Sequence, residues 1–116
     1  MIYLASAYSH PDAVTRLRRF EQALAATVLL AKQGHLVFSP IVHSHWLHVE
    51  GLPGDWTFWE KFDRWFIERC DQLVVLQNDG WNDSKGIAAE VSIATEILKP
   101  VYFWDGKSEL QFQGDK

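Results

Sequence analysis

Two carboxylates stand among apolar neighbours, and they are the residues whose type and spacing best fit chemistry. Glu90 closes the run Ser84-Lys85-Gly86-Ile87-Ala88-Ala89-Glu90, which follows a hydrophobic segment, Leu73-Val74-Val75-Leu76, and the turn signal Asn78-Asp79-Gly80. Ser84 and Gly86 read as a helix opening, where free backbone N–H groups favour an anion. Glu90 then lies about one turn inside, with Ile87 three residues before it, Ala94 four after and Val91 beside it. Lys85, Ser92, Glu96 and Lys99 take the opposite, wet face. The bland alternative weighs equally on spacing alone: a boundary glutamate with its stem packed and its head in water, favoured near a helix N-terminus.

Asp63 is the second. The segment from Trp56 to Cys70 has an apolar stripe of Trp59, Phe62, Phe66, Ile67 and Cys70, and Asp63 falls within it. A buried lone carboxylate needs a partner or a raised pKa, and a raised pKa suits a general acid or base near neutrality. The equal alternative is a structural aspartate that binds a backbone group or pairs with Arg64 or Arg69. Two carboxylates beside a strand-end tyrosine, Tyr3, could carry glycosyl transfer, one attacking the anomeric carbon and the other handling the leaving group's proton. Phe58 and Trp65 point off the stripe and read as a second apolar face, best explained by a homodimer contact.

The elements that must position these residues alternate. Strand-like runs at Ile2–Ala5, His35–Val42 (interrupted by Pro40), Leu73–Leu76 and Pro100–Trp104 are separated by helical patterns. The first helix reads as starting at Ser9-His10-Pro11-Asp12 and continuing with Val14, Leu17, Phe20, Leu24, Val28 and Ala31 as its apolar stripe, up to Gly34. His43 to Gly54 reads as a His-, Gly- and Pro-rich loop, and Gly86 to Leu98 as the last helix. The order predicts one α/β domain over residues 1–116: a doubly wound, flavodoxin- or Rossmann-like parallel sheet of four to five strands with helices on both faces. Residues 105–116 read as a polar, frayed or edge segment. In such sheets ligands bind beyond the C-terminal strand ends, so Tyr3, Tyr8, the His-rich loop and the 78–86 loop should converge on one crevice.

Composition narrows the classes. A net charge of −4 argues against broad binding to a nucleic-acid polymer or an anionic membrane, so any phosphate needs a local pocket. One cysteine excludes an internal disulfide and fits a reducing, cytoplasmic setting. No signal-peptide pattern and no membrane-length apolar run are expected from the sequence. Of the six tryptophans, Trp46 and Trp81 are candidates to stack on a base, at even odds with core packing. His43, His45 and His48 invite a metal reading, but no cysteine or H-E-x-x-H pattern accompanies them, and a wet loop or substrate lid fits better. No cofactor is implied.

Ile2-Tyr3-Leu4-Ala5-Ser6, Asp63 eight residues before Asp71, Ser84-x-Gly86-x-x-x-Glu90 and Lys99-Pro100-Val101, taken in order, resemble the nucleoside 2-deoxyribosyltransferase family. The resemblance implies that Glu90 is a nucleophile forming a covalent deoxyribosyl intermediate, that Asp63 serves the base and proton transfer, and that Tyr3 positions the nucleophile. Serine at Ser84 resembles the branch that hydrolyses 2′-deoxynucleoside 5′-monophosphates, where the transferases tend to carry aspartate. The glycosidase branch has a Gly/Arg-containing loop after the first strand. Here the loop reads Ala5-Ser6-Ala7-Tyr8-Ser9-His10, which leaves Ser9, and His10 beside it, to meet a phosphate. Ser84, Gly86, Ser9, Trp81 and Trp46 are thus the expected substrate contacts. The competing class is a non-catalytic nucleotide-binding module of the same fold. A phosphoribohydrolase of the lysine-decarboxylase-like type lacks its glycine-rich P-G-G-x-G-T signature in this chain.

Overall fold

Residues 1–112 are described by a computed structural model. Strands β1 (Ile2–Ala5), β2 (Val37–Phe38), β3 (Gln72–Leu76) and β4 (Val101–Trp104) form one parallel sheet in the order β2-β1-β3-β4. The helices are α1 (Ala13–Lys32), α2 (Pro40–Val49), α3 (Trp56–Arg69) and α4 (Lys85–Glu96), with a short 3₁₀ turn at Trp81–Asp83. Alternation along β1 and β3 divides the core. Tyr3, Ala5, Leu73 and Val75 face α3 and α4, while Ile2, Leu4, Val74 and Leu76 face α1 and the chain after β4. Helices therefore cover both faces, as in a doubly wound Rossmann-like fold. No helix of the described residues is long and apolar enough to cross a membrane.

The largest departure from the sequence reading lies between β1 and α3. The strand expected over 35–42 is only two residues long, because Ser39 and Pro40 start a helix. The Ser39 hydroxyl accepts the Val42 N–H at 3.1 Å, and proline at the first helical position loses no hydrogen bond. Most of the expected loop from His43 is thus α2, and the true connection is Glu50–Asp55.

α1 also starts later than expected, with Asp12 rather than Ser9 as its N-cap, accepting from the Val14 N–H and the Thr15 hydroxyl. Its buried face is Thr15, Phe20, Ala23, Ala26 and Leu30. Of the expected stripe only Phe20 is buried; Val14, Leu17, Leu24 and Val28 face outward. Ala26 lets α1 lie close to Ile2 and Leu4 and Leu30 fills the core beside it, while Val14, Leu17, Leu24 and Val28 are left outside. The segment after β4 is not frayed where it is described. Leu110 and Phe112 are buried in the α1-side core, Tyr102 packs on Phe112, and Trp104 Nε1–H donates to the Ser108 carbonyl at 2.9 Å. The last four positions of the expected polar segment, 113–116, lie outside the described residues.

Candidate functional site

Strand order makes the site. The chain leaves β1 toward β2 on one side and re-enters at β3 on the other, so their carboxyl ends diverge and open a crevice. Asn78 braces its floor: its side-chain oxygen accepts the Ala7 N–H at 3.0 Å and its amide donates to the Ala7 carbonyl at 3.1 Å. Above it is a cavity of about 560 Å³, large enough for a small-molecule ligand. β1 and its following loop contribute Ser6, Tyr8, Ser9 and His10, α1 contributes Arg19, and α2 contributes Ile41, Ser44 and His48. Trp56, Trp59 and Asp63 come from α3, and Ser84, Lys85, Gly86 and Glu90 from the start of α4.

Both carboxylates reach this wall from buried positions, Glu90 with 5% and Asp63 with 7% of its surface exposed. The Tyr3 hydroxyl donates to Glu90 Oε2 from the strand beneath. Tyr3 is fully buried and does not line the cavity, so it holds Glu90 from behind. Burial pushes Glu90 up to about 8; the Tyr3 hydrogen bond opposes this and the nearby Asp63 charge adds to it. Burial likewise pushes Asp63 up to about 7, with the Tyr3 hydroxyl opposing. Arg64 pairs with Glu60 at 2.9 Å and Arg69 lies over the Trp65 ring, so neither neighbouring arginine is Asp63's partner. The two carboxyls form a coupled pair that retains protons near neutral pH.

Ser84 and Arg19 line the cavity together with Asp83. Ser84 caps α4, its Oγ accepting the Ile87 N–H at 3.1 Å, which leaves the hydroxyl hydrogen free to donate outward. Arg19 joins it, its side chain only 12% exposed, with Nη1 donating to the Ser9 carbonyl at 2.8 Å and Nε to Asp79 at 3.2 Å. Gly80, at φ 77°, makes the turn there, and a Cβ on it would lie 2.3 Å from the Arg19 guanidinium. Trp56, Trp59 and His48 are aromatic parts of the cavity lining.

Of the residues expected from the sequence, Glu90, Asp63, Ser84, Gly86 and Ser9 come together on this cavity, with Tyr3 behind them. Trp46 and Trp81 do not. Trp46 is 56% exposed on the outer side of α2, edge-on to His45 and Phe20, and Trp81 packs on Phe103. Trp56 and Trp59 supply the aromatic wall instead. The histidines separate because α2 is a helix: His43 stacks on Phe62, His45 is buried against Phe20 and Tyr8, and only His48 lines the cavity. Among the described residues no three His, Cys, Asp or Glu side chains gather as metal ligands would.

Sequence reasoning missed Ser6, Arg19, Trp56 and Trp59, and placed His48 at the crevice only as part of the His-rich loop. Ser6 is the most telling, since its Oγ is buried on the cavity wall with no hydrogen-bond partner among the described residues. Such a hydroxyl costs about 1–3 kcal/mol until something bonds to it. Arg19 had a signal in the cluster Arg16, Arg18 and Arg19 just after the first strand.

The profile of one family, described as a domain of unknown function (DUF1937), matches residues 1–106, which include every residue of this cavity. No curated protein matches the chain.

Proposed function

We propose that this chain, which belongs to the DUF1937 family, cleaves the N-glycosidic bond of a 2′-deoxynucleoside or its 5′-monophosphate, or transfers the deoxyribosyl group, with Glu90 as nucleophile. The observation that carries the reading is the Tyr3 hydroxyl donating to a buried Glu90 on a cavity wall shared with Asp63. The resemblance to nucleoside 2-deoxyribosyltransferases in the Tyr3, Asp63, Ser84 and Glu90 motifs supports it.

In this mechanism the reactive state is the minor one, in which the proton the pair retains sits on Asp63 and Glu90 is ionised. Glu90 then attacks C1′ from one face of the sugar. A C1′–O bond forms as the C1′–N bond breaks, and that bond's electron pair leaves on the base nitrogen. Protonated Asp63 supplies the proton to the departing base. Water or a second base then attacks C1′, freeing the Glu90 carboxylate and returning a proton to Asp63. Tyr3 steers Glu90 and tempers its basicity. A carboxylate held near pH 8 by burial is a stronger nucleophile when ionised than an exposed one. Ser84, Gly86 and Ser9, with Arg19 beside them, would receive the 5′ end. The chemistry calls for no metal or organic cofactor.

The partner is a small nucleoside or nucleotide, and the single cysteine and acidic balance fit a cytoplasmic protein. The face of α3 carrying Phe58 and Trp65, each about half exposed, supports a homodimer.

The test is free-base release, followed by chromatography, across a panel of deoxynucleosides and deoxynucleotides. Wild-type protein is expected to release base from at least one member, and Glu90→Ala from none while keeping its fold by circular dichroism. Unchanged turnover in Glu90→Ala overturns the mechanism. No release from any member favours a binding module.

A further inference from the structure

His48 faces the cavity with its tautomer already decided. Its Nδ1 lies 2.8 Å from the backbone oxygen of Leu52. A carbonyl oxygen only accepts, so Nδ1 carries the hydrogen, and in the neutral ring Nε2 keeps its lone pair. The ring is braced on several sides. Tyr8 meets it edge-on at 6.1 Å between centroids, and a Cβ added to Gly54 would stand 2.9 Å from Nδ1 and Cε1. The connection supplying Leu52 and Gly54 is itself tied to α3, since Trp59 Nε1–H donates to the Pro53 carbonyl at 2.7 Å. A ring with one uncommitted acceptor nitrogen thus lines the same cavity as Trp56 and Trp59, and attack at C1′ makes no use of it.

Position says what it would meet. In the proposed reaction Glu90 fixes where the anomeric carbon must lie, and Ser84, Gly86 and Arg19 receive the 5′ end. The base is left with Trp56, Trp59 and His48, where aromatic walls suit a flat heterocycle. We infer that His48 reads the base, its Nε2 accepting a hydrogen bond from an amino group, so that the site takes amino-substituted bases of the adenine or cytosine kind over their oxo counterparts. This rests on the base-release reading above. The docking register that brings an amino group to Nε2 brings an oxo oxygen to it in the counterpart. Two acceptors would then face each other, each desolvated and unpaired.

The experiment compares kcat/KM for base release from 2′-deoxyadenosine and 2′-deoxyinosine and from their 5′-monophosphates. It is run on wild type, His48→Phe, which keeps an aromatic wall without an acceptor, and Gly54→Ala, which displaces the ring while leaving His48 in place. Calorimetric titration with free adenine and hypoxanthine runs alongside. Wild type is expected to prefer the amino substrate by about tenfold or more, His48→Phe to bring the ratio within about threefold of unity, and Gly54→Ala to move it the same way. If no substrate releases base but wild type still binds adenine more tightly than hypoxanthine, and His48→Phe loses that preference, base recognition stands and the proposed reaction falls. If release depends on Glu90 but is equal for both bases, or if the preference survives both variants, the His48 inference is overturned and the reaction stands. Neither release nor selective binding overturns both.

Discussion

A carboxyl group that is 5% exposed resists ionisation, and Glu90 has an aspartate near it that strengthens the resistance. Both groups ionise near pH 4 in an unfolded chain. Folding raises them to about 8 for Glu90 and about 7 for Asp63. Between those limits the folded state holds protons that the unfolded state has lost, so stability falls as pH rises from about 4 to about 8. Glu90→Gln keeps the shape and a partner for Tyr3 but never ionises. It is expected to melt at least about 4 °C above wild type at pH 8.5, on the order of 1 kcal/mol, with the gap closing toward pH 4. Parallel melting curves across that range would show that Glu90 is not buried as an acid. A gap that opens with pH makes the same residue a cost to stability and, in the proposed reaction, the source of activity. Its buried place was legible as one of two equal readings, because an acid on an apolar stripe is a local conflict visible in sequence. Ser6 and Trp59 carry no such conflict. Their place on the cavity depends on which strand end meets which helix face, and local pattern does not encode that meeting.

Among the elements, α3, β3 and the start of α4 were readable because hydrophobic period, turn signal and cap agree there. α2 was not, since Ser39-Pro40 reads as a break in a strand until the cap geometry shows a helix beginning. α1 misled through its apolar period: Val14, Leu17, Leu24 and Val28 repeat at helical spacing but face outward, while alanines face the sheet. Exposed apolar side chains also mark α3, where Leu52, Phe58, Trp59, Phe62 and Trp65 shape an open concavity of about 510 Å³. Glu21 interrupts the α1 stripe, whereas the α3 surface is mainly large aromatic rings, the kind that anchor interfaces. For the proposed homodimer, sedimentation velocity at micromolar concentration is expected to show a dimer for wild type and a monomer for Phe58→Glu/Trp65→Glu. A monomeric wild type, or a dimer indifferent to both changes, contradicts the assignment of this face.

At the scale of the whole molecule, strand order and cavity are one arrangement. The order β2-β1-β3-β4 opens the crevice, β1 brings Tyr3 beneath it, and α3 and α4 deliver one carboxylate each from the same face of the sheet. The alternating strand and helix pattern made that architecture legible early, while the cavity's aromatic lining waited on the true course of the chain between Ser39 and Asp55. The central claim is that Glu90 bonds to the sugar. Its most direct test is rapid acid quenching of wild-type protein with a released-base substrate, followed by intact-mass and peptide-mass spectrometry. The account predicts a protein heavier by one deoxyribosyl or deoxyribosyl-phosphate group, with the added mass on the peptide carrying Glu90 and absent from Glu90→Gln. Added mass on another peptide, or persisting in Glu90→Gln, would contradict it.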